Sequence, residues 1–177
     1  MKKTQGFTLL ELLVCLAILV IIVSLPSPSF TFLQGNAVRA ELDTLCITCR
    51  YLQRSAQARN KEQILTFDET NQSYTFQETT YHLPSTVRFG AGAGITSSPS
   101  NTHTPHNKPI TFTHNKIIFY PTGITKSGTI YLQDIHGQYT YALSFPVSQV
   151  SYLRKYRYDG KWIDITQSKK PHNTCSS

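Results

Sequence analysis

An acidic side chain interrupts a long apolar run near the N-terminus. Glu11 lies within the run from Phe7 to Leu25, which is otherwise apolar apart from one threonine and one serine. A carboxylate in a membrane helix costs about 3 kcal/mol on insertion scales, and more when it has no partner. A cut after Gly6 would place a new amine on Phe7, one helical turn from Glu11 of its own chain and within reach of Glu11 of a neighbour. A cut there would therefore supply the cation that compensates the Glu11 carboxylate.

The apolar run has the length and the flanking charge of a membrane anchor. It is just long enough to cross a bilayer as a helix, and Lys2 and Lys3 before it should hold the N-terminus in the cytoplasm. The residues after Leu25 are a poor site for an ordinary secretory signal peptidase. The alternative is that Glu11 is a chance acid tolerated at the membrane edge. It does not explain why the two lysines, Gly6, Phe7 and Glu11 occur together. We expect a cleaved leader over residues 1–6 and a transmembrane helix over residues 7–27.

Residues Met1 to Glu11 resemble the N-terminal signal of type IV pilins and type II secretion pseudopilins. The resemblance rests on a leader that ends in Gly6 and on the five residues that follow it. It implies cleavage after Gly6 by prepilin peptidase, N-methylation of Phe7 and a role for Glu11 in setting the register between subunits. It also implies a single pass through the bacterial inner membrane, a periplasmic globular domain, and other pilin or pseudopilin subunits as partners.

A second helical segment follows two prolines. Pro26 and Pro28 lack amide hydrogens and crowd the preceding turn, so they should kink or locally melt the helix. Beyond them, apolar residues recur at alternating spacings of four and three, which is typical of a helix with one buried face. These residues are Val38, Leu42, Leu45, Cys49, Leu52 and Ala56. We expect a helical spine over residues 28–60 that ends near Arg59.

After Asn60 the apolar period changes to two, which is typical of half-buried strands. The predicted strands are Gln63–Asp68, Ser73–Gln77, Thr86–Phe89, Lys116–Tyr120, Thr129–Gln133, Gln138–Phe145, Val150–Arg157 and Lys161–Ile165. The predicted fold is α+β and pilin-like, with a long N-terminal helix packed against an antiparallel β-sheet. We expect one β-rich domain over residues 61–170, a flexible tail over 171–177, and a mobile loop from Gly90 to Pro109, which lacks an apolar period.

Two further segments resemble the GspH/FimT group of minor pseudopilins. The first runs from Leu52 to Phe67 and is similar to the end of that group's spine helix and its entry into the sheet. The second runs from Ile118 to Leu132 and is similar to a strand, a glycine turn and the next strand of the group. The C-terminal part departs from the group, because residues 152–158 stand where many members carry a Gly-Arg pair.

Cations and aromatic rings alternate near the C-terminus. Arg154, Lys155, Arg157 and Lys161 are interleaved with tyrosines and a tryptophan, and residues 151–170 hold six cations against two aspartates. One interpretation is a solvated edge strand whose charges discourage aggregation. The other is a DNA-binding surface with phosphate contacts and stacking rings. The formal net charge of +7, or +5 without the two leader lysines, is compatible with both interpretations.

Cys46 and Cys49 form a C-x-x-C pair inside the predicted spine. Because there is no second pair and no βαβ setting, the spacing does not indicate zinc binding or redox catalysis. We expect buried thiols or a local disulfide. His103 and His106 have no acidic or thiol neighbour in the sequence, so we expect no metal site. We also expect no catalytic residues and no cofactor, because catalytic serine motifs, paired carboxylates and phosphate-binding glycine loops are absent from the sequence.

Two functions fit this pattern. The first is structural: a minor pilin or pseudopilin subunit of a type II secretion pseudopilus or type IV pilus, with other subunits, prepilin peptidase and the inner membrane as its partners. The second is a filament-borne receptor for DNA uptake, with Arg154, Lys155, Arg157 and Lys161 as its ligand-binding residues. The sequence does not distinguish a secretion system from a pilus or a competence apparatus.

Overall fold

The computed structural model of the chain describes residues 9–24, 30–95, 97–99, 108–146 and 152–166. It divides into two compact units, Met1–Phe32 and Leu33–Ser177, which are described separately. Helix α1 (Leu9–Ser24) lies in the first unit, and helix α2 (Phe30–Arg59) lies almost entirely in the second. The two predicted helix-breaking prolines, Pro26 and Pro28, fall between the helices and outside the described residues.

Helix α1 is formed by an almost continuous apolar segment of sixteen residues. Its described large apolar side chains are all exposed, from 49% at Val14 to 82% at Leu9. Within the described part of the chain, neither helix combines the length and the apolar character that a membrane crossing requires. The predicted transmembrane helix over residues 7–27, whose ends lie outside the description, is therefore not confirmed.

Helix α2 has one buried face, as its apolar spacing predicts. The six residues of the predicted stripe are all completely buried: Val38, Leu42, Leu45, Cys49, Leu52 and Ala56. The helix ends at Arg59 because Asn60 adopts a left-handed conformation with φ of 49°. The Lys61 amide then bonds to the Ala56 carbonyl at 3.2 Å, and the Asn60 amide bonds to the Gln57 carbonyl at 3.4 Å. These two bonds satisfy carbonyls that a helix end otherwise leaves open.

The described residues after α2 form two antiparallel sheets. The strands are β1 (Gln63–Asp68), β2 (Ser73–Phe76), β3 (Thr79–His82), β4 (Val87–Phe89), β5 (Lys116–Phe119), β6 (Gly128–Asp134), β7 (Thr140–Phe145), β8 (Arg154–Tyr158) and β9 (Trp162–Asp164). The first sheet has the order β3-β2-β1-β5, and the second has the order β4-β6-β7-β8-β9. The predicted α+β, pilin-like class is confirmed, but two sheets replace the single sheet that we expected.

One hydrophobic core joins α2 to both sheets. The first sheet contributes Leu65, Phe67, Tyr74, Ile117 and Phe119, and the second contributes Val87, Phe89, Ile130, Leu132, Tyr141, Leu143 and Phe145. Leu153, just before β8, belongs to the same core. Aromatic rings interlock within it, with Phe67 and Phe89 at 5.8 Å and Phe119 and Phe145 at 6.1 Å between centroids. Two sheets can share one helix because each presents its alternate residues to the same apolar stripe.

Strand β3 was not predicted from the sequence. It follows a tight turn in which Gln77 and Glu78 both have positive φ, 49° and 66°. Such turns usually contain glycine or asparagine. This turn contains neither, so its residue types did not indicate a hairpin. Its four residues are all exposed. The Tyr81 ring stacks on Phe76 at 5.0 Å, and this contact supplies cross-strand packing in place of burial.

The first half of the predicted mobile loop packs on the outer face of the second sheet. The Gly90 amide bonds to the Tyr131 carbonyl at 3.1 Å, and the Trp162 indole donates to the Ser97 carbonyl at 2.7 Å. Ile95 is buried there. Tyr131, Ala142 and Tyr156 form a small second core on this face, against which Ala91 and Trp162 pack. Strands β6 and β7 are buried on both faces as a result.

Candidate functional site

The N-terminal candidate site is described from Leu9 onwards. Glu11 lies in the first turn of α1, among side chains that are almost all apolar and exposed. Gly6 and Phe7, the predicted cleavage and methylation positions, lie outside the described residues. An exposed helix of this composition is stabilised by lipid or by other apolar helices rather than by water. The predicted roles of Gly6, Phe7 and Glu11 stay predictions.

The C-terminal candidate site is rich in internal ion pairs. Lys155 Nζ lies 2.6 Å from Asp43 Oδ1, so the lysine of β8 contacts α2. Arg157 Nη2 lies 2.8 Å from Asp159 Oδ2, and Arg154 Nη1 lies 3.9 Å from Asp164 Oδ2. Three of the four predicted DNA-binding cations are thus already next to a carboxylate. Lys161 is exposed in the turn before β9 and makes no ion pair with a described residue.

The cations of β8 also face in opposite directions. Lys155 and Arg157 lie opposite Leu143 and Tyr141 of β7, whose side chains belong to the core beside α2. Arg154 lies opposite Ser144 and therefore projects from the other face, because side chains alternate along a strand. Lys155 and Arg157 consequently lie on one face of the second sheet and Arg154 on the other. The alternation was readable from the sequence, whereas the ion pair between residues 43 and 155 was not.

The aromatic rings of this segment are engaged with protein groups. Tyr156 is buried in the second core. Trp162 contacts the rings of Tyr158 at 5.2 Å and Tyr131 at 5.8 Å. The Arg154 guanidinium lies over the Tyr152 ring, 5.0 Å from its centroid. Stacking on a nucleic-acid base requires an accessible ring face. Tyr156 has none because it is buried, whereas Tyr152 is 38% exposed. The other interpretation, a solvated edge strand, does not describe β8 either, because β8 lies between β7 and β9 and the edge strand is β9.

Cys46 and Cys49 are buried free thiols. The possible disulfide between them is not formed. In a regular helix, Cβ atoms three residues apart are about 5–6 Å from each other, whereas a disulfide needs about 3.5–4.5 Å. Burial raises the pKa of both thiols, and Arg50 and Lys155 partly offset this effect at Cys46. A raised pKa leaves little thiolate, so neither residue is suited to redox chemistry.

No metal-binding group was found in the described part of the chain, where no three His, Cys, Asp or Glu side chains are suitably clustered. His103, His106 and Cys175 lie outside it.

The sequence pattern did not indicate a surface on the side of α2 that faces away from the core. Ile47 lies two residues, or about 200° around the helix, from both Leu45 and Cys49, and it is 67% exposed. Tyr51, one turn later, is 48% exposed. Together with Arg50 and Arg54 these residues line a shallow groove of 310 Å³. Exposed tyrosine, arginine and isoleucine next to each other are typical of a protein interface. We call these four residues the outer helix surface.

Comparison with known proteins supports the N-terminal prediction. Residues 1–25 match the family model of the prokaryotic N-terminal methylation motif. No curated protein and no solved structure matches the chain. The motif indicates a type IV pilin-like precursor, with a prepilin leader, processing by prepilin peptidase and assembly with other pilins. Proteins of this kind are structural subunits rather than enzymes.

Proposed function

We propose that the chain is a minor pilin or pseudopilin, anchored in the bacterial inner membrane by the segment that contains α1 and carrying its globular domain in the periplasm. The observation that carries the proposal is the methylation motif over residues 1–25 joined to an exposed apolar helix with Glu11 in its first turn. Lipid covers such a helix before assembly, and neighbouring helices cover it in a filament. Gly6, Phe7 and Glu11 are the residues we assign to cleavage, methylation and subunit register.

The second unit supports this proposal by presenting a rigid helix with a free side. One side of α2 is fixed by the completely buried stripe, while the outer helix surface remains exposed. Arg50 and Arg54 are four residues apart, and like charges at this spacing cost about 0.2–0.5 kcal/mol. A neighbouring subunit that offers a carboxylate and an apolar side chain would remove that cost and cover Ile47. We therefore assign the outer helix surface to contact with another subunit.

Within the pilin-like proteins, we place the chain near the GspH/FimT group. Helix α2 ends at Arg59 and β1 begins at Gln63, as the resemblance of that segment implies. Strand β5 leads through a turn at Gly123, with φ of +80°, into β6. The turn also contacts the spine, because the Gln53 side chain donates to the Gly123 carbonyl at 3.3 Å. This local agreement supports the placement.

The test of the assembly role is incorporation into filaments sheared from cells that express the chain. Ile47→Asp should leave the level of the membrane-bound protein unchanged and strongly reduce its amount in the sheared fraction. Ser85→Asp is the matched control, since it adds the same charge at an exposed turn that is not part of α2. Normal incorporation of the Ile47 variant would exclude the outer helix surface as a contact. Absence of the unmodified chain from filaments would refute the proposed function itself.

A further inference from the structure

The turn between β6 and β7 presents an isoleucine and a histidine at one end of the second sheet. Both side chains are exposed, Ile135 by 42% and His136 beside it. A single exposed aliphatic residue is common on protein surfaces. What distinguishes Ile135 is the rigidity of its turn and the position of that turn in the domain. We call residues 135–138 the hairpin tip.

Asp134 makes the hairpin tip rigid. This residue is completely buried, and both of its carboxylate oxygens accept backbone hydrogen bonds. Oδ1 accepts from the Tyr139 amide at 2.6 Å, and Oδ2 accepts from the His136 amide at 3.1 Å. The Ile135 amide donates to the Thr86 carbonyl, just before β4, at 3.2 Å. Ile135 is therefore held in place before any partner binds, and such preorganisation lowers the entropic cost of binding.

The hairpin tip lies beside the N-terminal part of α2. A Cβ atom at Gly35 would come within 3.1 Å of the Tyr139 ring, so this ring packs directly on the helix backbone. Towards the other end of α2, the Gln53 side chain donates to the Gly123 carbonyl in the turn between β5 and β6. The turns before and after β6 thus lie near opposite ends of α2, about 27 Å apart along the helix axis at about 1.5 Å per residue.

The short connection to α1 determines which of these two ends is tethered to the anchor. Residues 25–29 are the five residues that separate α1 from α2. The chain from Ser24 to Phe30 spans at most about 22 Å, whatever the arrangement of the two helices. This step rests on the proposed function, in which the segment that contains α1 lies in the bilayer. The end of the domain with the hairpin tip is then held at short range from the membrane surface.

Two exposed cations lie at the same end of the domain. Arg39 is one turn after Gly35 on α2. Lys161 is in the turn between β8 and β9, which lies at this end because Arg157 is opposite Tyr141, near the start of β7. Within the described part of the chain, neither Arg39 nor Lys161 forms an ion pair. Both are available to an external anion.

The acids next to the hairpin tip are already occupied. Asp134 is buried with both oxygens bonded to amides of the turn, and Asp159 Oδ2 lies 2.8 Å from Arg157 Nη2. Cations around an exposed apolar side chain suit a surface of anionic lipid, because the cations meet headgroup phosphates while the apolar group enters the interface. The short connection to the anchor keeps such a surface within reach of the tip.

We propose that the hairpin tip docks on the surface of an anionic bilayer before the subunit enters a filament, with Ile135 in the interface and Arg39 and Lys161 on headgroup phosphates. This contact is a second, reversible attachment that adds to the anchor. It orients the globular domain on the membrane, so that the outer helix surface is presented to an incoming subunit in one direction.

The test is contact between the tip and lipid in the full chain, reconstituted into vesicles of phosphatidylcholine and phosphatidylglycerol with bromine on the acyl chains close to the headgroup. Bromine quenches tryptophan fluorescence at contact distance, so Ile135→Trp should be strongly quenched. Ile124→Trp is the matched control, because Ile124 is also 42% exposed and lies in the turn at the far end of α2. It should be quenched little. The signal of Trp162, the single tryptophan of the sequence, is subtracted with the unmodified chain.

The charge dependence is tested in the Ile135→Trp background. Each cation near an anionic surface changes the ratio of docked to undocked protein about fivefold. Arg39→Gln with Lys161→Gln should therefore lower this ratio about 25-fold. Arg59→Gln with Lys61→Gln removes the same charge from exposed positions at the end of α2 and should leave the quenching unchanged. Vesicles of phosphatidylcholine alone should give little quenching.

Equal quenching of the Ile135→Trp and Ile124→Trp variants would overturn the docking, and so would quenching that persists in neutral vesicles or after loss of Arg39 and Lys161. Flotation of the vesicles separates this inference from the proposed function. A chain that does not float with the vesicles refutes the anchor, and the docking with it. A chain that floats but shows no quenching at position 135 overturns the docking alone and leaves the tip to a protein partner. Both tryptophan variants should melt close to the unmodified chain, since both positions are exposed.

Discussion

Lys155 and Asp43 connect β8 to α2 across 112 positions of sequence, with Nζ and Oδ1 2.6 Å apart. The lysine side chain is 21% exposed and the aspartate side chain 42%. The pair therefore lies at the edge of the core rather than inside it, where water only partly screens the attraction. The pair lies next to Cys46, because the charges of Lys155 and Asp43 both affect the pKa of the Cys46 thiol. It therefore lies near the middle of the buried stripe of α2. One of the four cations predicted for a DNA site is thus a contact between the helix and the second sheet.

Lys155→Ala should therefore lower the free energy of unfolding by about 1 kcal/mol, the range for a partly exposed charged hydrogen bond. In a double-mutant cycle with Asp43→Ala, most of this loss should appear as coupling between the two residues. Urea denaturation of the purified chain measures both quantities. Lys161→Ala serves as the control, because that lysine is exposed and unpaired among the described residues. Zero coupling, or DNA affinity that falls with Lys155→Ala alone, would contradict the structural role.

The spine could be predicted from sequence because its signal is local. An apolar residue at every third or fourth position is enough to define one buried face of a helix. All six residues of the predicted stripe are buried. The partner of Lys155 could not be predicted in the same way. Asp43 lies on another element more than a hundred positions away, and periodicity carries no information about such pairs. Strand β3 and the packed loop segment were missed for a related reason, since their turn and their contacts depend on neighbouring strands.

A new aspartate should destabilise the protein far more on the buried side of α2 than on its exposed side. Leu45→Asp places an unpaired carboxylate in the core and removes a completely buried leucine, so it should cost more than about 4 kcal/mol and prevent stable folding. Arg50→Asp lies on the exposed side and should change the free energy of unfolding by less than about 0.5 kcal/mol. Thermal melts followed by circular dichroism compare the variants. Similar melting temperatures would contradict the packing of α2 on the sheets.

Cys46 and Cys49 should resist alkylation in the folded chain. Burial raises the pKa of both thiols, so little thiolate is present at mildly basic pH and the sulfurs are shielded from the reagent. Iodoacetamide treatment followed by mass spectrometry of the tryptic peptide should show slow labelling in native buffer and rapid labelling of both residues in denaturant. Recovery of this peptide with an internal disulfide from exported protein would show that the oxidised form exists in the cell, against the free thiols of the structure.

Glu41 should make stability fall as pH rises. Burial raises the pKa of its carboxyl group, while a hydrogen bond of 3.3 Å from the Tyr74 hydroxyl offsets part of the effect. A raised folded-state pKa means that the protonated form is favoured by folding. Its stabilising contribution is full below the unfolded pKa of about 4.3 and is lost as pH rises through the folded pKa.

Glu41→Gln should remove this pH dependence, so the variant should be more stable than the unmodified chain towards neutral pH. Denaturation at several pH values measures the difference, with exposed Glu62→Gln as control. A difference that moves the opposite way would contradict the assignment.

The processing site gives the most direct test of identity, because it separates cleavage from assembly. The methylation motif covers residues 1–25, and within it we assign Gly6 to cleavage and Glu11 to subunit register. Gly6→Leu should leave an uncut precursor in the membrane fraction, because the bulky side chain occupies the peptidase site.

Glu11→Val should be cut normally but fail to enter filaments, because the amine of Phe7 in each subunit would lose the carboxylate that fixes its position. Intact-mass measurement of the membrane form gives the cleavage position and the methyl group together, and the sheared fraction gives assembly. Glu11→Asp, which keeps the charge, should assemble better than Glu11→Val. A mature N-terminus at any residue other than Phe7 would refute the assignment of the leader, and normal filament entry by Glu11→Val would refute the role of the acid.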